Sequence, residues 1–405
     1  MKKQIIIRGQ VILSPQQSDK RSNMNKKIAV MLCTDPKWGG EHQYALTLMK
    51  CLEKSDGNVE FAAICCNQYW RKWCREHKVK ILDMSWPSFT ENEQERHIKY
   101  PAFSRIYTMY MTEFGKRFRR ERIDAVLCTT QGVFIPNIST KVIVPVHDLM
   151  HRYEGRFPEV KKEYKARELF FSSKARYAWC VLVDSQTGKR QFIESYSNYM
   201  RRNLPHVISL PYVVPSYVME GEEEFIDTPL RYVFYPAQFW QHKNHINLIR
   251  AIDLLVKDIP DIHLILVGSE KNYRKKIEQY ISEHGLTDYI TIKGFVSNGN
   301  MIYLYRHAVG LIMPSYFGPT NIPPLEAMAL GCPTAVSNKY AMHEQVGDAG
   351  LLFNPDSPGE IAECVRKLWT DGNLRQEMIK KGERQIKRWT IESFIRKFQR
   401  IIKEI

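Results

Sequence analysis

The sequence lacks several features that would each assign the chain to a class of protein. No apolar run approaches the roughly 20 residues that a helix needs to cross a bilayer. The nine cysteines are scattered, and none forms a CxxC motif or a Cys/His spacing typical of zinc sites. They also suggest no disulfide framework. These absences predict a protein of the reducing cytoplasm.

Motifs for nucleotides and metals are missing too. The chain contains no GxGxxG, no GxxxxGK[ST] and no DxD pair of the kind that holds a divalent cation on a diphosphate. We therefore expect neither a metal nor a cofactor. What the chain has instead is positive charge: Lys and Arg number 59 against 44 Asp and Glu, a net charge of +15. Such a surface attracts phosphates, but charge alone does not distinguish nucleic acid, anionic lipid and nucleotide.

Length and composition predict two globular domains. The chain has 405 residues, of which 44% are hydrophobic and 25% charged, and a domain takes about 100–200 residues. The predicted segments are an extension of unknown role (1–23), an N-terminal domain (24–214), an acidic, proline-bounded linker (215–230), a C-terminal domain (231–388) and a final helix (389–405).

Short apolar runs alternate with amphipathic segments in both domains. The runs in the first domain cover 28–34, 61–66, 81–84, 125–130, 142–148 and 177–185; those in the second are YVFYPA, HLILVG, YITIKGF, MIYLYRHA, VGLIMPS, CPTAVS and AGLLFNP. Runs of four to eight residues without alternation are typical of parallel strands covered on both faces. The pattern predicts an α/β protein with two doubly wound sheets and a cleft between them.

The strongest motif is SYFGPTNIPPLEAMALGCP, at 315–333. A predicted strand ends in a loop, and two prolines then open a helix, a position that suits proline. The loop and the helix N-terminus predict an anion site made by three backbone N–H groups, those of Thr320, Asn321 and Ile322. Glu326 follows one turn into the helix, placed to accept hydrogen bonds from paired hydroxyls such as those of a ribose. The alternative is a plain crossover with a solvated Glu326.

A second strand-to-helix turn lies at 235–251, YPAQFWQHKNHINLIRA. Lys243 falls near the start of its helix, where a cation is unfavourable for the helix dipole unless an anion is also there. The pattern suits a diphosphate lying between the two helix ends. The alternative is a solvated surface lysine.

Two further candidates lie in the first domain. His147, with Asp148 and His151, follows a predicted strand, where it could contact substrate hydroxyls or phosphate or take part in proton transfer. A structural histidine is the equal alternative. Gly39 and Gly40 open the first helix and permit close approach of a ligand, although any tight turn could use such a pair.

Taken in this order, the motifs resemble the family 4 glycosyltransferases of the GT-B fold. The resemblance runs from Lys26 onward and is strongest over 232–333. It implies two Rossmann-like domains facing each other across a cleft, with a C-terminal helix crossing back onto the first. It also implies a retaining, metal-independent enzyme that moves a hexose, mannose-like by preference, from a nucleotide diphosphate sugar to a saccharide or lipid-linked acceptor in surface polysaccharide or glycolipid synthesis. The donor base, among GDP, UDP and dTDP, stays open.

The resemblance also implies residue roles. Lys243 would hold the diphosphate, Glu326 the ribose, and His147 would face the transferred sugar. With Asp148 these residues form the candidate catalytic set. The remaining candidates, all expected to bind the donor, are Gly39, Gly40, Gln238, Gly294, Phe295, Val296, Gly318, Thr320, Asn321 and Ile322.

Two positions depart from the family pattern and keep other functions open. Gln238 stands where the family often has arginine, and Gly318 stands where it has the first of two glutamates. The departures leave room for a nucleotide-sugar binding or regulatory protein with little turnover. A sugar-nucleotide epimerase on the same fold is a further alternative.

One basic, aromatic segment bears on partners. Residues 107–122 combine four aromatic side chains with a run of Lys and Arg, which fits either a membrane-facing helix or, slightly better, a core-facing stripe with a solvated basic side. No nucleic-acid-binding module is evident. We expect a cytoplasmic protein, and contact with the inner face of the cell membrane is left open.

Overall fold

The computed structural model describes residues 26–54, 59–200, 205–318 and 320–405. The predicted extension at 1–23 lies outside these ranges. Among the helices in the described ranges, none combines the length and the apolar character that spanning a membrane requires.

The described strands form two parallel sheets, as the apolar runs predicted. The N-terminal sheet has the order β3-β2-β1-β4-β5-β6-β7, and the C-terminal sheet has the order β10-β9-β8-β11-β12-β13. In chain order, the strands are β1 (Lys26–Leu32), β2 (Val59–Cys65), β3 (Lys80–Ile81), β4 (Ala125–Cys128), β5 (Lys141–Val146), β6 (Cys180–Val183), β7 (His206–Ser209), β8 (Val233–Pro236), β9 (Leu264–Val267), β10 (Ile290–Lys293), β11 (Gly310–Met313), β12 (Thr334–Ser337) and β13 (Gly350–Phe353). Every one of their ladders is parallel.

Helices connect the strands and cover both faces of each sheet. In chain order, the α-helices are α1 (Gly40–Glu53), α2 (Gln68–Glu76), α3 (Glu91–Lys99), α4 (Pro101–Ile106), α5 (Glu113–Glu121), α6 (Met150–Tyr153), α7 (Pro158–Lys161), α8 (Tyr164–Tyr177), α9 (Gln186–Tyr196), α10 (Ser216–Glu220), α11 (His245–Leu255), α12 (Arg274–Glu283), α13 (Asn298–His307), α14 (Ile322–Ala329), α15 (Met342–Val346), α16 (Pro358–Thr370), α17 (Gly372–Ile386) and α18 (Ile391–Lys403). Single turns of other helix types lie at Pro36–Trp38, Tyr107–Met111, Ser197–Tyr199, Gln241–Lys243 and Gly347–Ala349.

The last helix completes the first domain. Although α18 follows the C-terminal domain in the chain, its apolar face packs with the core of the N-terminal sheet through Phe394, Phe398 and Ile402. Thr390 begins the helix by accepting a hydrogen bond from Ser393 N–H. The C-terminal helix therefore crosses back onto the first domain, in agreement with the GT-B fold.

Three sequence-based expectations need correction. The segment MIYLYRHA, grouped with the strand series, lies in α13, and its buried side chains recur at helical spacing. Strand β7 had not been anticipated; it is short and only Val207 in it is fully buried. Cys33 and Cys66 are joined in a disulfide, whereas no pairing was expected. The parallel register explains their proximity, because Leu32 pairs with Cys65 and the two cysteines come next.

Helix α5 follows the core-facing interpretation of the basic segment. Phe114 and Phe118 are buried in the N-terminal core, while Lys116, Arg119 and Arg120 face solvent. The helix therefore presents a basic outer side above an apolar inner one.

Candidate functional site

The carboxyl ends of the two sheets face each other, and loops from both domains meet there. A Cβ placed on Gly40, at the start of α1, would lie 3.1 Å from Ile322 Cδ1 at the start of α14. The side-chain amide of Gln238 donates to the backbone carbonyl of Lys37 across 3.4 Å. The structure thus brings the Gly-Gly turn of the first domain against two predicted donor-binding segments of the second.

Lys243 ends the single turn that precedes α11. Its backbone carbonyl accepts a hydrogen bond from Tyr235 Oη at 3.0 Å, which fixes the turn. Burial lowers the pKa of Lys243 to about 8, and the Asp148 carboxylate of the opposite domain acts against that shift. No ion pair of Lys243 is found among the described residues. The ammonium group is therefore a poorly solvated cation close to a helix N-terminus.

His147 follows β5 and lies between two tyrosine rings. Its Nδ1 is 2.7 Å from Tyr212 Oη, and its ring contacts the Tyr44 ring edge-on with centroids 4.8 Å apart. Burial lowers the pKa of His147 below its ordinary value, so the imidazole is neutral at pH 7. Within the described residues, its buried Nε2 has no hydrogen-bond partner. Tyr212 thus fixes one ring nitrogen, and the other is left without a partner among the described residues.

Asp148 has its partners within the first domain. Its carboxylate pairs with Arg167 and accepts hydrogen bonds from Gln131 Nε2 at 2.9 Å and from Met150 N–H at 3.0 Å. Burial alone would raise its pKa; the Arg167 charge and these hydrogen bonds bring it down to about 2. Gln131 also accepts from the backbone N–H of His147. Asp148 is a fixed anion rather than a proton carrier at neutral pH.

Glu326 points into a buried pocket of tyrosine hydroxyls. Its two carboxylate oxygens accept from Tyr217 Oη at 2.6 Å and Tyr305 Oη at 2.7 Å. Burial raises the pKa of the carboxyl group, and the two tyrosine hydrogen bonds lower it in part. Tyr217 belongs to α10, inside the predicted linker. The solvated alternative for Glu326 is therefore wrong, since only 7% of the residue is exposed.

The predicted anion site before α14 is largely occupied by protein groups. Thr320 donates its backbone N–H and its hydroxyl to Asp184 Oδ2, at 2.9 and 2.6 Å. Asn321 N–H donates to Gln345 Oε1 at 3.0 Å. Of the three amides expected to form the site, that of Ile322 belongs to the first helical turn, where N–H groups lack a partner within the helix.

Gly318 begins this loop with a φ of +86°, a conformation that favours glycine. A Cβ there would lie 2.7 Å from the Thr320 carbonyl oxygen, so a larger residue would force the loop to move. The loop geometry thus explains why glycine stands here.

The remaining candidates follow β10. Gly294 faces open space, Phe295 is 90% exposed, and Val296 is half-buried against the C-terminal core. Among the described residues, no side-chain hydrogen bond or ion pair joins these three to Lys243 or Glu326. They form a separate, open edge of the C-terminal domain.

Two further carboxylates cross the cleft. Glu159 of α7 accepts from Gln241 N–H at 2.7 Å, just before Lys243. In the opposite direction, Glu344 of α15 accepts from the Gln186 and Thr187 N–H groups, both at 3.1 Å, at the start of α9. Helix N-termini attract anions, and here the opposite domain supplies them.

Sequence reasoning missed these bridging carboxylates and both tyrosines at His147. Asp184 gave a usable signal, because it is the residue that directly follows the apolar run of β6. Glu159, Glu344 and Tyr212 gave none, since their roles depend on which loops of the opposite sheet or neighbouring strand they meet.

Comparison with known proteins points in one direction. A profile for glycosyl transferases group 1 matches residues 219–385. The chain is 26% identical to the O-antigen chain mannosyltransferase B of Escherichia coli over 163 residues, which cover 40% of this chain and 43% of that protein. It is 24% identical to the O-antigen chain mannosyltransferase RfbU of Salmonella typhimurium over 338 residues, covering 81% and 87% of the two chains.

Solved structures share the fold over nearly the whole chain. The crystal structure of Anabaena HepE in complex with UDP-glucose superimposes with a TM-score of 0.64 at 15% identity, covering 94% of this chain and all of that one. The chain spans less than half of the first of the two mannosyltransferases above and most of the second.

Proposed function

We propose that this chain, a GT-B glycosyltransferase whose residues 219–385 match the group 1 family, transfers a mannose-like hexose from a nucleotide diphosphate sugar to a saccharide or lipid-linked saccharide. The named relatives support the sugar, since both are O-antigen chain mannosyltransferases. Transfer would proceed with retention and without a metal, in the synthesis of a surface polysaccharide or glycolipid at the inner face of the cell membrane.

The observation that carries the donor class is Lys243. A half-buried lysine whose pKa desolvation lowers to about 8 is unfavourable without an anion, and it lies beside the N-terminus of α11. A diphosphate would supply the missing negative charge. UDP-glucose bound to HepE, which shares the fold, is consistent with a donor of this class.

The other candidates then take distinct roles. Glu326 would exchange a tyrosine hydrogen bond for a ribose hydroxyl, and the neutral His147 would accept from or donate to the transferred sugar through Nε2. Gln238 and the Gly40 turn would close over the donor from opposite sides. Asp148, a permanent anion close to Lys243, would keep that lysine protonated until the diphosphate arrives.

The donor proposal is tested by thermal shift and turnover with the full chain. We expect GDP or GDP-mannose to raise the melting temperature with or without EDTA, and GDP release to accelerate when a lipid-linked saccharide is added. UDP and UDP-glucose, tested in the same way, serve as the comparison for GDP and GDP-mannose. Binding without turnover would favour a regulatory protein, isomerised donor would favour an epimerase, and no shift with any nucleotide would contradict the donor site.

An exposed apolar patch supports membrane contact. Five large apolar residues of the segment at α4 and the turn that follows it are 41–67% exposed: Tyr100, Phe103, Ile106, Tyr110 and Met111. We call this set the α4 patch. The Lys99 ammonium lies 5.2 Å from the Tyr100 ring and the Arg119 guanidinium 4.5 Å from the Tyr110 ring. Aromatic and aliphatic side chains rimmed by cations suit the surface of an anionic bilayer.

Replacing Ile106 and Met111 together by serine is expected to weaken binding to phosphatidylglycerol-containing vesicles about tenfold or more, since each inserted apolar side chain contributes on the order of 1 kcal/mol. Co-sedimentation with the vesicles measures the fraction of protein bound. The matched control is Phe225→Ser with Leu254→Ser, which removes two apolar side chains exposed elsewhere, by 72% and 57%. Equal binding of both double variants would contradict the patch.

A further inference from the structure

The loop before α14 contains no acidic residue of its own. Residues 315–322 read SYFGPTNI, yet a carboxylate lies in the middle of the described part of this loop. It belongs to Asp184, which follows β6 in the opposite domain and is only 3% exposed. Burying a carboxylate costs folding free energy unless the group is well hydrogen-bonded. A role for Asp184 beyond packing would account for a carboxylate at this position.

The residues around Asp184 satisfy its carboxylate and leave room for it. Oδ2 accepts both Thr320 hydrogen bonds, and Oδ1 accepts from the Ser185 hydroxyl at 3.0 Å. A Cβ on Gly188 would lie 2.8 Å from Oδ1, so glycine at that position leaves space for the carboxylate. Both oxygens thus have partners, and the neighbouring helix is shaped around them.

The contact fixes the end of a loop that borders the opposite domain. Asp184 holds Thr320 by hydrogen bonds, two residues before Ile322. The side chain of Ile322 in turn lies beside Gly40 of the first domain. Asp184 therefore fixes the backbone just before the residue that packs beside the Gly-Gly turn. Movement of the loop by 1 Å would change both the Ile322 N–H direction and the gap above Gly40.

We propose that Asp184 is a positioning residue that acts through Thr320: it reaches across the cleft and holds the loop before α14 in the closed arrangement that the transfer step requires. The inference rests on the proposed function, because it needs a donor in this cleft. Asp184 itself does not touch the donor. Its effect should therefore fall on kcat more than on nucleotide affinity.

The Glu344 contact provides a matched comparison. Glu344 also reaches across the cleft and also accepts two backbone N–H groups, together with the Thr187 hydroxyl at 2.5 Å. It bridges to the start of α9, however, and holds no residue of the loop before α14. Loss of Glu344 should therefore remove a contact between the domains without freeing the loop before α14, whereas loss of Asp184 should release that loop.

The experiment compares Asp184→Asn with Glu344→Gln in the full chain. We expect Asp184→Asn to lower kcat for hexose transfer at least tenfold, with GDP affinity by calorimetry within about twofold of the parent. Glu344→Gln should keep kcat within about threefold. Thr320→Val should lower kcat as Asp184→Asn does, with GDP affinity again within about twofold of the parent, and Thr320→Ser, which keeps the hydroxyl, should lower kcat less than Thr320→Val. The two Thr320 variants keep the test decisive if Asp184→Asn unfolds.

A pH profile gives a second readout. Burial, with a smaller contribution from the Asp148 anion, raises the pKa of Asp184 to about 7, although the hydrogen bonds from Thr320 and Ser185 act to lower it. The other titratable groups facing it, Tyr44 and Tyr212, are neutral because burial raises their own pKa values. The ionised carboxylate accepts both Thr320 hydrogen bonds, so kcat of the parent should fall as pH drops through 7. This acid limb should be absent in Asp184→Asn.

The outcomes separate the two proposals. A parent that binds no nucleotide diphosphate overturns both. If the parent transfers hexose, two results would overturn the role of Asp184. One is a kcat of Asp184→Asn equal to that of the parent; the other is a fall in kcat for Glu344→Gln as large as that for Asp184→Asn. If the parent binds GDP without turnover, the transfer function fails, and Asp184 is tested by the affinity gained on going from GDP to GDP-mannose. Asp184→Asn should erase that gain; an unchanged gain overturns the positioning role.

Discussion

Replacing Lys243 by alanine is expected to weaken binding of GDP or UDP about 10- to 100-fold, because a charge-assisted contact to a phosphate contributes about 1.5–3 kcal/mol. The unliganded variant should melt no lower than the parent, since a half-buried ammonium group without a bound anion is itself costly. Calorimetric titration with the nucleotide and a thermal melt measure the two effects.

The pH dependence sharpens this prediction. In the free protein, burial lowers the pKa of Lys243 to about 8. The diphosphate binds the protonated form, so its affinity should fall as pH rises through about 8. Lys243→Arg stays protonated throughout this range and should remove the dependence.

Lys276→Ala, which removes an exposed lysine of the same domain, is the control for general charge. If Lys276→Ala weakens nucleotide binding as much as Lys243→Ala does, long-range attraction by the basic surface explains the effect. The assignment of Lys243 to the diphosphate would then be wrong.

Replacing Glu326 by alanine should have two effects of comparable size. The change removes the acceptor proposed for a ribose, which should weaken nucleotide binding about tenfold or more. It also leaves the hydroxyls of Tyr217 and Tyr305 without their partner, and each unpaired buried hydroxyl costs about 1–3 kcal/mol of folding stability. The melting temperature should therefore drop along with the affinity.

Two tyrosine variants separate these effects. Tyr232→Phe removes one buried hydrogen bond, to the Leu304 carbonyl, away from Glu326 and should lower stability without changing nucleotide affinity. Tyr217→Phe leaves one oxygen of Glu326 free and should bind nucleotide at least as tightly as the parent. If Tyr217→Phe instead loses affinity as Glu326→Ala does, Glu326 has no direct part in ribose binding.

The alternation of apolar runs with amphipathic segments predicted the two parallel sheets because burial on both faces leaves a strong local signal. Val233 and Leu264, for example, lie in runs of fully buried residues. The signal fails where a segment is apolar for another reason. MIYLYRHA supplies the buried face of helix α13, and its run of apolar residues was mistaken for a strand. It also fails for β7, whose residues are mostly half-buried.

From the sequence, a site residue could be predicted only where it lies in the loop that follows its own strand. Lys243 and His147 were proposed in this way. Glu326 was placed one turn into its helix, but its tyrosine partners could not be predicted, because Tyr217 lies 109 residues away in a segment that was predicted to be a linker. The partners of Thr320 and Gln241 are equally non-local.

The path of the chain limits how the two halves can move. It passes between them twice, once through the segment around α10 and once between α17 and α18. Both crossings tie the same pair of bodies, so the halves cannot slide or separate freely. The geometry leaves a hinge rotation about the line that joins the crossings, with the largest displacement at the far rim of the cleft. Tyr217 belongs to one of the two crossings, so we expect its hydrogen bond to Glu326 to change little when the cleft opens.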